Sequence, residues 1–344
     1  MAVRMIPHGR RGWLALTRGS QTRYYPVMAA QFAQPRNLIV PPVLSRDWEF
    51  ATVEGVRIMQ GSIQIPCFLA RGANTPPATG LDEMMLDWLF LREDEWSMLR
   101  FGDTVEGTLH LFDGVNRLTW QRVKANSVAT QIQKGGLVMW NIAVMGTGVS
   151  NSPNGAPGGD PWNTPFQYMP WGNTSAPYPT PVSFRDVEFY IRENPSSAWR
   201  RLTVPVYGMD VSISHNLIAN APITDHTGAN LLSNIARFDA GPLVAACGMT
   251  IAHYPFLSNA NTNPARYADL TPLLSDNAGI ALRVARGDGN AVEIRMNRVV
   301  PENPIDTTAQ FGQQFRSIRF RVLGNPLSDT PGGPGEPPVS VVVV

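Results

Sequence analysis

Apolar and polar residues alternate along most of this chain. In "IALRVARGDGNAVEIRM", 280–296, Ile280, Leu282 and Val284 mirror Val292, Ile294 and Met296 about a Gly-Asp-Gly turn. A period of two on both sides of such a turn predicts a β-hairpin, with Asp288 and Gly289 at its tip. "TLHLFDGVNRLTW", 108–120, predicts a second hairpin with Asp113 and Gly114 at the tip. One segment has the other period. In "TGLDEMMLDWLFLREDEWSML", 79–99, Met84, Met85, Trp88, Leu89 and Leu91 fall at helical spacing, and Thr79 and Asp82 resemble a capping box. With 30 glycines and 30 prolines punctuating the rest, the chain is predicted to be mainly β, as a sandwich or barrel.

The punctuation is densest at 151–181, which holds eight prolines, four glycines and five aromatics. Proline makes such a stretch extended and stiff, so it reads as a boundary between domains. Proline and glycine return near the end, "NPLSDTPGGPGEPP", before the β-branched run "VSVVVV".

Either side of that boundary the landmarks repeat in order. "ANTPPA" (73–78) and "ANTNPA" (260–265) agree in five letters of six, and Phe-Leu precedes both. Upstream, "GWLALTRGS" (12–20) corresponds to "GMDVSISHN" (208–216). Downstream come the two Asp-Gly hairpins, then "GLVMWNIAVMG" (136–146) and "SIRFRVLG" (317–324). The offsets are 196, 187, 175 and 178, drifting without a jump. The chain is therefore read as two tandem copies of one β domain, 10–147 and 205–325. An N-terminal arm (1–9), a linker with possible extra strands (148–204) and a C-terminal arm (326–344) complete it. The acidic helix belongs to the first copy only.

Composition narrows the function. The net charge of +1 calls for neither nucleic acid nor membrane, and charged residues are only 16%, against a usual ~25%. A chain so weakly charged is expected to cover much of its surface with other chains. Of its 28 basic residues only Lys124 and Lys134 are lysines. Arginine suits interface ion pairs, although a GC-rich genome accounts for it equally well. Cys67 and Cys247 form no CxxC, sit in apolar runs and read as buried thiols. No apolar run reaches the ~20 residues of a membrane span, and no signal-peptide stretch opens the chain. A protein made and kept in a reducing cytoplasm, or released by lysis, is expected.

Sites for chemistry are hard to find. His8, His110, His215, His226 and His253 show no metal-ligand spacing, and GxSxG, HExxH, Walker A and GxGxxG are absent. Neither catalytic residues nor a cofactor or metal are expected. Trp162, Trp171 and Tyr178 could stack a sugar, but they more simply pin the linker.

What is present is charge segregation. Residues 1–46 carry seven arginines, Arg4, Arg10, Arg11, Arg18 and Arg23 among them, and no Asp or Glu. Residues 81–106 carry eight acidic residues, including Asp82, Glu83, Asp87, Glu93, Asp94 and Glu95, and two arginines. A basic arm and an acidic helix suit a head-to-tail contact between identical subunits; two solvated surfaces, or an arm that binds DNA, are the other readings. The terminal run, with Val339, Val341, Val342 and Val343, needs a partner edge. It can add a strand to a neighbouring subunit or fold back onto its own domain.

A low-charge, Pro-rich, duplicated β protein of this kind resembles the major tail tube proteins of long-tailed, siphovirus-type phages. The likeness rests on "LDEMMLDWL" as the helix, the two Asp-Gly hairpins and the alternating "GMDVSISHN", and it covers most of 10–325. It is one of architecture, since that family has no invariant motif. It implies a β-sandwich or half-barrel domain, here in tandem, with a short helix in the first copy. It implies a structural virion protein, assembled in the host cytoplasm into stacked rings whose inner strands join into one barrel. The partners implied are the chain itself, the tape measure, terminator and tail-tip proteins, and double-stranded DNA in transient passage. Most members have one copy of the domain, so a duplicated chain implies homotrimeric, pseudo-hexameric rings. A smooth lumen with few basic groups lets DNA slide, because phosphate contacts are what hold it. The arginines of 1–46 are accordingly expected to face neighbouring subunits and avoid the channel. A capsid decoration or baseplate protein, a β-sandwich carbohydrate-active enzyme and a carbohydrate-binding module are the rival readings.

Overall fold

The structure is a computed structural model. It describes residues 13–19, 21–33, 38–39, 52–53, 58–66, 68–69, 83–90, 92–93, 103–112, 117–152, 180–202, 205–220, 237–252, 276–285, 291–302, 306–310, 313–324 and 336–343. The described residues are mainly β, and sixteen strands form one antiparallel sheet. The first seven are β1 (Trp13–Arg18), β2 (Gln21–Pro26), β3 (Ala29–Ala33), β4 (Ile58–Pro66), β5 (Gly107–Phe112), β6 (Arg117–Gln133) and β7 (Met139–Ser152). The others are β8 (Val187–Arg192), β9 (Arg200–Arg201), β10 (Val206–Ser214), β11 (Val244–Ala252), β12 (Ala278–Ala285), β13 (Ala291–Pro301), β14 (Asp306–Gln310), β15 (Gln313–Leu323) and β16 (Val339–Val343).

Two series of seven strands follow the same path. The first runs β2-β1-β5-β6-β7-β4-β3, and the second β9-β8-β12-β13-β15-β11-β10. Matching places along the two paths are filled in matching chain order. One sequence correspondence is corrected here. Residues 208–214 lie on β10, which holds the place of β3, while β8 at 187–192 holds the place of β1. The second series thus begins within the segment expected to be linker. Alternation misled because β1, β3 and β10 all have period two, and only partner choice tells them apart.

Each series curls. Seven strands laid flat would hold their ends about 29 Å apart at ~4.8 Å per strand. Yet β2 and β3, at opposite ends of the first path, are separated only by Val27 and Met28, which span about 10 Å at most. In the second series only four positions of sequence, 202–205, separate β9 from β10 at the opposite ends of its path. The curl brings Phe32 of β3 onto Trp120 of β6, stacked at 4.1 Å between centroids. Gly61 permits this, since a Cβ there would collide with the Phe32 ring. Inward residues of both series form one hydrophobic core, including Leu14, Ile63, Val128 and Ile142 of the first and Ile213, Cys247, Ile294 and Phe320 of the second.

Both predicted hairpins have their arms in place. Leu111 faces Leu118, and Ile280, Leu282 and Val284 face Met296, Ile294 and Val292. The tips, Asp113-Gly114 and Asp288-Gly289, lie outside the described residues, as do both Asn-Thr-x-Pro turns. The helix is shorter than predicted. α1 covers Glu83–Phe90, and Arg92-Glu93 then pairs with Asp103-Thr104 as a short ladder. Met85, Trp88 and Leu89 are buried at i, i+3 and i+4. The Trp88 indole Nε1 donates to the Val123 carbonyl at 3.1 Å, fixing α1 on β6.

Candidate functional site

The two series meet at one strand pair. The front of β6 pairs with β5 as far as Val123 opposite Gly107. Its back half then takes β10 on the same side, from Ser127 opposite Ser214 to Gln133 opposite Gly208. The exchange of partners falls at a register shift, where Arg122 has φ +52°. Inward at the junction, Val128 faces Ile213, Thr130 faces Val211 and Ile132 faces Met209, all buried. The junction is therefore welded by core as well as by ladder.

Polar groups close both ends of it. The Asn126 carbonyl accepts from the His215 N–H at 2.7 Å, and its side-chain Oδ1 from the Leu217 N–H at 2.8 Å. His215 is buried, with Nε2 2.8 Å from the Leu89 carbonyl at the end of α1. Lys124 is buried as well. Its ammonium donates to the Phe238 carbonyl at 2.9 Å and lies 3.7 Å from a Glu106 oxygen. At the far end the Lys134 N–H donates to the Tyr207 carbonyl at 3.1 Å, and its ammonium lies 5.4 Å from the Tyr207 ring centre. Both lysines of the chain thus bracket the junction. A lysine ammonium is a compact point charge on a flexible four-carbon stem, and at Lys124 it reaches one buried carbonyl.

Outward, the sheet across the junction is almost uncharged and mostly polar or small, with Met139 beside Gln131 and the exposed Val244 beside Ser214. Its rows run from Ser62 through Ala143, Ser127 and Ser214, and from Gln64 through Asn141, Ala129, Ser212 and Ala246. A third row passes from Gln131 to Asp210 and Gly248. From β4 to β11 these rows hold one charged group, Asp210. Arg319 and Arg321 extend them on β15, opposite Gly248 and Ala246. Inward, burial pushes the Cys247 thiol well above its ordinary pKa, with Asp210 and Glu302 adding to the shift. It is a core residue, as expected; Cys67 lies outside the described residues.

The C-terminal run is held by its own chain. β16 pairs with β13, Val339 opposite Met296 and Val343 opposite Val292. It fills a slot that β7 occupies in the first series, because β15 stops at Leu323 opposite Arg298 whereas β7 continues along β6 to Arg117. Of the two outcomes considered for this run, folding back is the one observed, since β13 offers an open edge there. A buried polar cluster pins it. Arg192, 4% exposed, forms a bidentate pair with Glu336 and donates to the Asn297 carbonyl at 2.8 Å, with Trp199 against its guanidinium. The Asn297 amide donates to the Pro337 carbonyl at 2.8 Å and to Ser340 Oγ at 3.2 Å.

Arg18 and Arg23 lie on β1 and β2, Glu83 and Asp87 on α1, and Glu93 in the short ladder. Arg4, Arg10, Arg11, Asp82, Asp94 and Glu95 lie outside the described residues. Among the described residues no three His, Cys, Asp or Glu side chains could share a metal ion, and no helix is long and apolar enough to cross a membrane. His110 meets Thr119 Oγ1 at 3.0 Å across the β5–β6 pair. No protein-family model matches the chain, and no curated protein matches its sequence.

Proposed function

We propose that this chain is a structural subunit that assembles head to tail, and that its product is the tail tube of a long-tailed phage. One observation carries the reading: two curled strand series with one strand order continue into each other through β6 and β10, and the face they present across the join is nearly free of charge. In this reading the two series are copies of one tail-tube-like half-barrel domain. A strand-to-strand join that works between copies within a chain works between chains, and a heterologous contact of that kind repeats until it closes or forms a fibre. Three chains supply six half-barrels to a ring, and rings stack into a tube. Closure removes exposed strand edges. The uncharged face lines the lumen, where the scarcity of basic groups lets double-stranded DNA pass. The tape measure, terminator and tail-tip proteins meet the tube ends. The role is mechanical, and no catalytic residue or cofactor is assigned.

The test is the mass of the soluble protein and its behaviour on concentration, followed by negative-stain imaging. Rings or tubes with a central channel support the reading. A monomer that never assembles returns the chain to the enzyme or binding-module alternatives, and assembly without a channel points to a decoration or baseplate role.

A further inference from the structure

The β6–β10 junction lies between the two series, so each of its halves has a counterpart elsewhere in the chain. β3 holds the place of β10, and the end of β13 with β14 holds the place of the back half of β6. Among the described residues β3 pairs only with β4, and β12 leaves the edge of β13 at Val299. Among the described residues, Val300, Pro301 and β14 have no strand partner on the side where β6 receives β10.

The registers fix the correspondence. Ile142 faces Val128 as Phe320 faces Pro301, and Met139 faces Gln131 as Ser317 faces Asp306. Gln131 therefore matches Asp306 and Ser127 matches Val300, with two more positions of sequence between Val300 and Asp306 than between Ser127 and Gln131. On the other side Gln64 faces Ala29 as Gly248 faces Asp210, which matches Ala29 to Asp210 and Ala33 to Ser214. The exposure pattern agrees: Phe32 and Ile213 turn inward, while Ala29, Gln31, Asp210 and Ser212 are exposed.

We propose that the β13–β14 edge of one copy pairs antiparallel with β3 of a second copy, repeating the internal junction with Val300 opposite Ala33 and Asp306 opposite Ala29. The occupant is a second copy because the chain already contains the complementary pair, and the two open edges are the halves left over. Pro301 carries no N–H, so this ladder has one donor fewer than β6–β10. That difference leaves the joint between chains weaker than the joint within one. The inference rests on the head-to-tail reading above and specifies its contact.

The experiment is disulfide trapping in the full chain, oxidised by oxidised glutathione and read by mass on a non-reducing gel. Ala33→Cys with Val300→Cys, and Ala29→Cys with Asp306→Cys, should each cross-link chains at least about tenfold more than the out-of-register pair Ala29→Cys with Val300→Cys, since a disulfide needs Cα atoms within about 7 Å. Single variants measure the background from Cys67 and Cys247. A covalent trimer as the largest product supports the edge pairing and the three-chain ring. An open-ended ladder of products supports the edge pairing and overturns the ring. Assembly without in-register cross-links overturns the edge pairing and leaves the tube reading standing, and a chain that stays monomeric overturns both. Ala33→Lys, which places a charge on an exposed position of the β3 edge, should abolish assembly with an unchanged thermal midpoint; normal assembly of this variant overturns the pairing.

Discussion

The two strand series share an order but differ at their rims. In the first, β6 runs unbroken for 17 residues and β7 for 14, so one hairpin supports both β5 and the incoming β10. In the second, the corresponding hairpin is broken: β13 has 11 residues, β14 has 5, and β16 closes the gap that β15 leaves. The first series also owns α1, which packs on β6 and reaches β16. The comparison separates what both series share, seven strands in one order, from what only one position in the chain needs. The helix and the long hairpin serve the internal joint, while the second series ends in an edge closed partly by its own tail.

Five substitutions test that contrast, and the largest effect belongs to the joint. Val211→Asp puts an unpaired charge between Thr130 and the core. It should cost more than about 4 kcal/mol and split one thermal transition into two, one per series; calorimetry decides, and a single unshifted transition would show that the series do not depend on the joint. Trp88→Ala removes a fully buried ring and the bond to Val123. A loss of roughly 3–5 kcal/mol is expected, and an unshifted calorimetric transition would show that the helix does not hold the joint. Arg192→Ala leaves Glu336 and the Asn297 carbonyl without their cation, for roughly 3–5 kcal/mol at the upper limit; Glu336 being partly open to solvent, the low end is expected. Proteolysis should then release the C-terminal strand before any other segment. By contrast Arg201→Ala, whose pair with Glu188 at 3.2 Å is 65% exposed on the arginine side, should change stability by less than about 1 kcal/mol. The smallest effect on folding, within about 0.5 kcal/mol, is expected for Asn141→Lys, an exposed position between Gln64 and Ala129 on the nearly uncharged face. Assembled protein carrying it should bind short double-stranded DNA more tightly at low salt than at high salt, and no change in DNA affinity would argue against that face as a lumen.

Much of the fold could be read from local pattern. The hairpin arms match residue for residue, because a period of two and a glycine turn fix register before any other contact forms. The core of α1 was equally clear from Met85, Trp88 and Leu89. Its end was not: Arg92 and Glu93 have helical neighbours in sequence, yet pair with Asp103 and Thr104. The two-fold repeat of order was visible from the hairpins and closing strands, but the upstream match fell on the wrong strand. Pro26-Val27 and Pro205-Val206, which lead into β3 and β10, are the better sequence match. The two lysines among 28 basic residues were noticed as composition; their meaning lay in position, at the two ends of the joint.

The sequence by itself determined the β content, the hairpins, the apolar face of the helix and the weak charge of the whole, because each depends on residues a few positions apart. Only the tertiary structure decided which strands are neighbours across the chain. Tertiary packing made β8 and not β10 the counterpart of β1. It also joined β6 to β10, with Lys124 reaching Phe238 across 114 positions, and returned the terminal valines to β13. Strand pairing is chosen by edges left open after every other pairing has formed, and an open edge is a property of the assembled sheet that no local stretch of sequence contains.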